Sequence, residues 1–225
     1  MAYTLTIQPD AAAGKDTFLH SASATTNFST NANLAIGEES PTVAEAYRSL
    51  ITFDLSGIPA GAVLTAATLS LWEHTAVAAA GAPASWAVEL RKVLVNWVEA
   101  EATWNKYSTA GGNWGTAGCS NATDRGATVL ATTTLDGTAA NDFVSWSGPG
   151  LMAFFQAVVD GAANYGLLLS APTAEMLGTT PRAYSSFYSS AYATDAAKRP
   201  KLVLEHYTGS FPVIGSPIIR GMGAQ

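Results

Sequence analysis

"YRSLITFDLSGIPAGAVLTAATLSLWEH", residues 47–74, reads as two β-strands joined by a loop. Its hydrophobic period is two, not the 3.6 of a helix. In residues 47–55, Ile51, Phe53 and Leu55 fall on one face, and Arg48, Thr52 and Asp54 on the other. In residues 66–74, Ala67, Leu69 and Leu71 share a face opposite Thr68, Ser70 and Trp72. Between them Pro59 fixes one φ and Gly61 can take a positive one, so the chain reverses there.

The same pattern recurs outward from this block. "WAVELRKVLV" (86–95), "NYGLLLSA" (164–171) and "PKLVLEHY" (200–207) read as further strands. One helix is expected in "SGPGLMAFFQAVVDG" (147–161), with Pro149 near its start and Gly161 just past its end. Its apolar stripe of Leu151, Phe154, Phe155, Val158 and Val159 reads as core. Residues 21–46 and 105–128 are rich in Asn, Thr, Gly and Ser and read as long loops or short edge strands. "TAVAAAGAPAS" (75–85) reads as a surface connection. Many short strands separated by turn signals predict an all-β, jelly-roll-like antiparallel sandwich with one short helix. Residues 1–15 form an arm or first strand, 16–207 the sandwich, and 208–225 an extended apolar tail.

Composition narrows the function. A chain of 225 residues can bury a core without staples. Its one cysteine, Cys119, excludes an intrachain disulfide framework, and no Cys/His zinc spacing occurs. A net charge of -6 argues against nucleic acid as a partner. No apolar run approaches the ~18 residues that read as a membrane span. "MAYTLTIQPD" has neither a basic start nor an apolar stretch and does not read as a secretory leader.

Several blocks, taken in order, resemble the DNRLRE-type domain, also classed as carbohydrate-binding module family 96. "DTFLHSASATTNFSTNANLAIG" (16–37) is similar to that family's opening motif, and "RSLITFDLSGIPAGAVLTAATLSLW" (48–72) to its most recognisable block. "WVEAEATWN" (97–105) resembles its Trp-x-Glu-x-x-x-Thr-Trp-Asn signature. "DGAANYGLLL" (160–169) and "FYSSAYATDAAKRPKLVLEHY" (187–207) resemble its last strands. Ser29 stands where the family usually has Gly, and Ala191 where a Glu often follows. The resemblance implies a jelly-roll-like sandwich without catalytic activity, and glycan binding as found in members attached to polysaccharide-degrading enzymes.

The residues themselves give little sign of catalysis. Glu99 and Glu101, if on a strand, would share a face at roughly 7 Å, a carboxylate spacing known in inverting glycosidases. Adjacent surface glutamates are ordinarily solvated, however, and no HExxH, GxSxG or phosphate loop occurs. At least one of Trp97 and Trp104 is expected to be buried as the plug of a strand-to-loop corner, with Thr103 and Asn105 as natural partners for loop amides and Glu99 or Glu101 in the same role. Cys119 reads as an unreactive thiol.

Sugar binding needs flat aromatic faces within reach of solvent. The candidates are Trp72, Trp114, Tyr107 and Tyr188, with Trp86, Tyr184 and Tyr192 also beside polar loops and Trp114 the best prospect for an exposed ring. No cofactor is required, though Asp16, Asn27 and Glu38 offer oxygen ligands for a structural Ca²⁺. In the tail, Phe211, Val213, Ile214, Ile218, Ile219 and Met222 must lie on their own domain or on a neighbouring subunit. Together these features suggest a non-enzymatic virion-surface protein of decoration, head-fibre or tail-associated type. It would contact capsid or tail proteins through its termini and polysaccharide through its sandwich. The alternative is a secreted, stand-alone carbohydrate-binding module.

Overall fold

The structure is a computed structural model that describes residues 1–40, 42–175 and 182–208. In chain order the strands are β1 (Ala2–Ile7), β2 (Lys15–His20), β3 (Asn33–Glu38), β4 (Tyr47–Thr52), β5 (Val63–Ala78), β6 (Trp86–Lys92) and β7 (Lys106–Ser108). They continue with β8 (Gly112–Asn113), β9 (Ala131–Leu135), β10 (Asp142–Ser147), helix α1 (Pro149–Val159), β11 (Leu167–Ser170), β12 (Ala183–Tyr188) and β13 (Lys201–Tyr207). One hydrogen-bonded path runs β1-β13-β5-β12-β3-β4-β11-β6-β9, with β10 attached to β5 and β2 to β4. All these pairings are antiparallel.

The path curls back on itself because each half has an apolar inner face to bury. Leu69, Leu71, Trp146, Leu202 and Leu204 from one half meet Ile51, Val88, Leu90, Leu167 and Leu169 from the other in one core. The indole N–H of Trp146 crosses that core to donate to the Val88 carbonyl at 3.0 Å. The result is the expected all-β sandwich.

The opening block folds as its pattern predicts. Ala67, Leu69 and Leu71 are buried while Trp72 is half-buried on the opposite face. The reversal at 56–61 closes with Ala62 N–H donating to the Pro59 carbonyl, and Gly61 takes φ +74°. Helix α1 starts at Pro149, and Gly161 beyond its end has φ +102°. Leu151 and Phe155 enter the core. Gln156 stitches the helix to the start of β5: its amide oxygen accepts from Leu64 N–H at 2.7 Å, and its amide nitrogen donates to the Ala62 carbonyl at 3.1 Å.

The expectations for residues 21–46 and 75–85 need correction, and the polar face of β4 has neighbours that its pattern does not show. The Arg48 face of β4 is covered by residues 94–124. Leu50, Leu19 and Leu168 on that side join Val93, Trp97, Ala102, Trp114 and Cys119 in a second core beneath residues 94–124. Arg48 itself pairs with Glu175 at 2.7 Å and donates to the Gly118 carbonyl at 2.7 Å, which pins this cap to the sheet. Residues 21–46 are not merely loop, for they contain β3, a central strand buried over residues 34–38. Residues 75–78 are the end of β5, paired with β12, rather than a surface connection. Residues 1–15 contribute β1, which pairs along its whole length with β13. The tail contacts expected at Phe211, Val213, Ile214, Ile218, Ile219 and Met222 lie outside the described residues.

Candidate functional site

Three regions hold the expected site residues, two of them candidates for sugar and one for a cation, and they take quite different forms. The first is the solvent face of β10, β5 and β12. Alternation on β5 sends Trp72 and His74 outward while Leu71 and Glu73 go in. Antiparallel register places Phe143 of β10 directly opposite Trp72, and their rings meet edge-on at 5.3 Å and 82°. On the other side His74 stacks on Tyr188 at 4.4 Å, and Tyr188 on Tyr192 at 3.6 Å. All five rings are half-buried, and the two groups, Trp72 with Phe143 and His74 with Tyr188 and Tyr192, sit side by side on the outward face of β5 as one aromatic patch. The Lys198 ammonium lies 4.8 Å from the Trp72 ring centre, and that of Lys201 4.1 Å from the Phe143 ring centre. The two lysines put positive charge at the rim of the patch in a chain of net charge -6.

Local chemistry holds the patch in shape. His74 is bonded at both ring nitrogens, to Thr75 Oγ1 at 2.9 Å and Ser186 Oγ at 3.2 Å. Burial lowers its pKa, which favours the neutral ring in this stack. A bulge at Ser186/Phe187 offsets β12 against β5 where His74 meets Tyr188. Trp72 and Tyr188 are thus brought into one surface, together with Phe143, His74 and Tyr192. Phe143 and His74 were missed in the sequence, although the strand alternation that exposes Trp72 also exposes His74.

The second region is the cap over residues 94–124. Here Trp114 is not an exposed ring. It is only 4% exposed, and its indole N–H donates to the Thr103 carbonyl at 2.8 Å. The cause is Asp124, whose carboxylate accepts from the backbone N–H groups of Gly115, Thr116 and Asn121 at 2.8, 3.1 and 3.3 Å. That draws a glycine-rich loop inward and carries Trp114 into the second core. Tyr107 is half-buried and packs against Trp114, with ring centres 5.6 Å apart. Trp86 is likewise buried, as the first residue of β6 beside the 79–85 connection. Tyr184 sits on β12 and packs edge-on against Tyr47 at 5.4 Å.

The "NWVEAEATWN" turn lies in the same cap. Trp97 is 1% exposed and donates from its indole to the Tyr165 carbonyl at 2.8 Å. Glu99 Oε1 accepts from Asp16 N–H at 2.8 Å, and Glu101 Oε2 accepts from Thr109 N–H at 2.6 Å. Thr103 Oγ1 accepts from Asn105 and Lys106 N–H at 3.3 and 3.2 Å. Trp97 as the plug, and Thr103 and the glutamates bonded to backbone, are as expected of this turn, whereas the expected Asn105 side-chain bond is not formed among the described residues. Cys119 is fully buried, and burial with the nearby Asp124 pushes its thiol up to about 12.

The third region, the oxygen ligands, does not assemble. Asp16 lies opposite Ile51 on β4, whereas Glu38 lies opposite Ala183 on β12. The Asn27 amide nitrogen donates to the Glu99 and Ala102 carbonyls at 2.7 Å each, and its oxygen accepts from Ser29. Among the described residues no three His, Cys, Asp or Glu side chains converge. Asp16 and Asn27 instead tie β2 and its following loop to the Glu99 turn.

Residues 16–204 match the family described as disaggregatase related repeat domain. This chain belongs to that family. The match runs from β2 into β13, and so takes in the sandwich, the cap and every ring of the patch. It names a different family from the carbohydrate-binding module that the sequence blocks resemble. No curated protein matches the chain. Within this disaggregatase related repeat domain, β1 is the one strand that lies wholly outside the matched stretch among the described residues.

Proposed function

We propose that this domain is a non-enzymatic adhesion module that holds polysaccharide on the aromatic patch of β10, β5 and β12. The observation that carries the reading is the patch itself, with the Trp72–Phe143 pair and the His74–Tyr188–Tyr192 stack neighbouring on one sheet face and within reach of solvent. Aromatic rings that keep part of their faces in solvent, grouped on one side of a sheet, mark a contact surface. Sugar rings suit it because their C–H faces stack on aromatic planes while their hydroxyls stay hydrated. Lys198 and Lys201 favour carboxylated sugars along the rim. The non-enzymatic part is supported by Glu99 and Glu101, each engaged by a backbone N–H. The particle-surface location proposed from the sequence rests on the tail and on the N-terminal residues, and the fold adds no support to it. Weak sites of this kind work by repetition, whether on a particle or in a tandem chain.

Affinity electrophoresis through gels containing neutral or uronic-acid polysaccharides tests the reading. The wild-type domain should be retarded in at least one gel. Trp72→Ala and Tyr188→Ala should each weaken that retardation about tenfold, or about 1.4 kcal/mol, without lowering the melting temperature appreciably. Wild-type mobility unchanged in every gel would remove the proposal.

A further inference from the structure

A second feature lies apart from the patch, in the cap. A cleft of about 520 Å³ opens beside β7 and β8, lined by Thr25, Asn105, Lys106, Asn113, Trp114 and Thr116 among others. That volume falls in the range of small-molecule sites, roughly 300–1,000 Å³. Its walls are fixed by the backbone. Asn105 N–H donates to the Ala24 carbonyl at 3.1 Å, Trp114 N–H to the Asn105 carbonyl at 3.2 Å, and Asp124 holds the Gly115 and Thr116 amides. The cleft is therefore preformed and costs little to order when something enters it.

Its rim is chemically specific. Asn105 and Asn113 are exposed, and their side-chain amides hydrogen-bond nothing among the described residues. Each amide presents a donor and an acceptor side by side, the complement of two neighbouring hydroxyls that also donate and accept. Thr25 and Thr116 add hydroxyls. No carboxylate lines the cleft, and the one ammonium, that of Lys106, is turned to Thr109 Oγ1 at 3.2 Å.

Resting on the reading of the domain as a glycan-adhesion module, we infer that this cleft is a second subsite, one that takes a single neutral sugar residue at the end or branch of a chain. The flat patch suits the side of a polymer. The cleft, walled by the β7–β8 hairpin and the 115–117 segment, suits one residue inserted into it. Asn105 and Asn113 supply the hydroxyl contacts, and the buried Trp114 backs the cleft from beneath.

The test is a titration of the ¹⁵N-labelled domain with D-glucose, D-galactose and D-mannose, followed by NMR, beside the electrophoresis above. At least one of these sugars should saturably shift the side-chain amide signals of Asn105 and Asn113. Asn113→Ala should weaken that binding about five- to tenfold, as expected for one or two lost hydrogen bonds. Trp72→Ala should leave the monosaccharide titration unchanged while losing polymer retardation. Polymer retardation with no saturable shift at the cleft overturns this inference and leaves the adhesion reading standing. Loss of both overturns both. Shifts produced only by an added uronic acid such as D-glucuronate, or retained in the Asn105→Ala/Asn113→Ala double variant, overturn the neutral subsite.

Discussion

Asp16 is 1% exposed, and burial raises its pKa to about 6, with the Ser190 hydrogen bonds opposing and Glu99 reinforcing the shift. A carboxyl whose folded pKa exceeds its unfolded value stabilises the fold at low pH. That stability is lost as pH rises from about 4 to 6. The domain should therefore lose up to roughly 3 kcal/mol over that window from this group, and Asp16→Asn should flatten the loss in urea melts taken at stepped pH. A decline of equal size in the variant would assign it to other groups. Trp97 gives the complementary case, because its indole is enclosed and hydrogen-bonded. Trp97→Ala should cost about 3–5 kcal/mol by denaturant unfolding. Trp97 and Trp114, two of the three tryptophans of the cap, show what was legible at this scale. Trp97 stands in a motif whose acidic and hydroxyl neighbours cap backbone groups nearby in sequence. Trp114 is flanked by Gly, Asn and Thr, which read as exposed loop, and its burial depends on Asp124, ten residues further on.

The strands divide in the same way. β5, β6 and β13 largely alternate buried with less buried positions, β4 and β11 carry short unbroken apolar runs, and all five were readable. β12, "AYSSFY", was not, because it buries serines. Ser186 donates to the Leu34 carbonyl at 3.2 Å, and Ser49 of β4 both accepts from Ala35 N–H and donates to its carbonyl. Hydroxyls satisfied by the neighbouring strand can sit inside a sheet at little cost, and the hydrophobic period disappears from the sequence. β3 was hidden differently. It is buried over residues 34–38, so it has no polar face to alternate, and Gly37 suggests a turn. Gly37 is there because a Cβ would stand 2.0 Å from the Ala183 carbonyl oxygen. The cap is the element most dependent on one side chain. Asp124→Ala leaves three backbone N–H groups without their acceptor and should cost roughly 3 kcal/mol or more. Hydrogen exchange should rise first at residues 115–121. Unchanged protection there would mean that the loop holds without its clamp.

Across the whole molecule, the wall formed by β2, β4 and β11 has apolar contents on both sides, the sandwich core and the second core beneath the cap. The aromatic patch and the Asn105/Asn113 cleft lie on separate parts of this frame, so substitutions at one should leave the other intact. β1 closes the opposite end of the sheet, with Leu5 and Ile7 packed on the core. Deleting residues 1–8 uncovers the edge of β13 and should lower the melting temperature and promote association. A monomer of unchanged stability would show that β1 is dispensable. The β1–β13 pairing also places Ala2 directly across from Tyr207, which sets their Cα atoms about 5 Å apart. Entry and exit of the sandwich therefore coincide at one point. The domain can hang like a pendant from a longer chain without interrupting its course, and a circular permutant sealed there by a short glycine linker should fold normally.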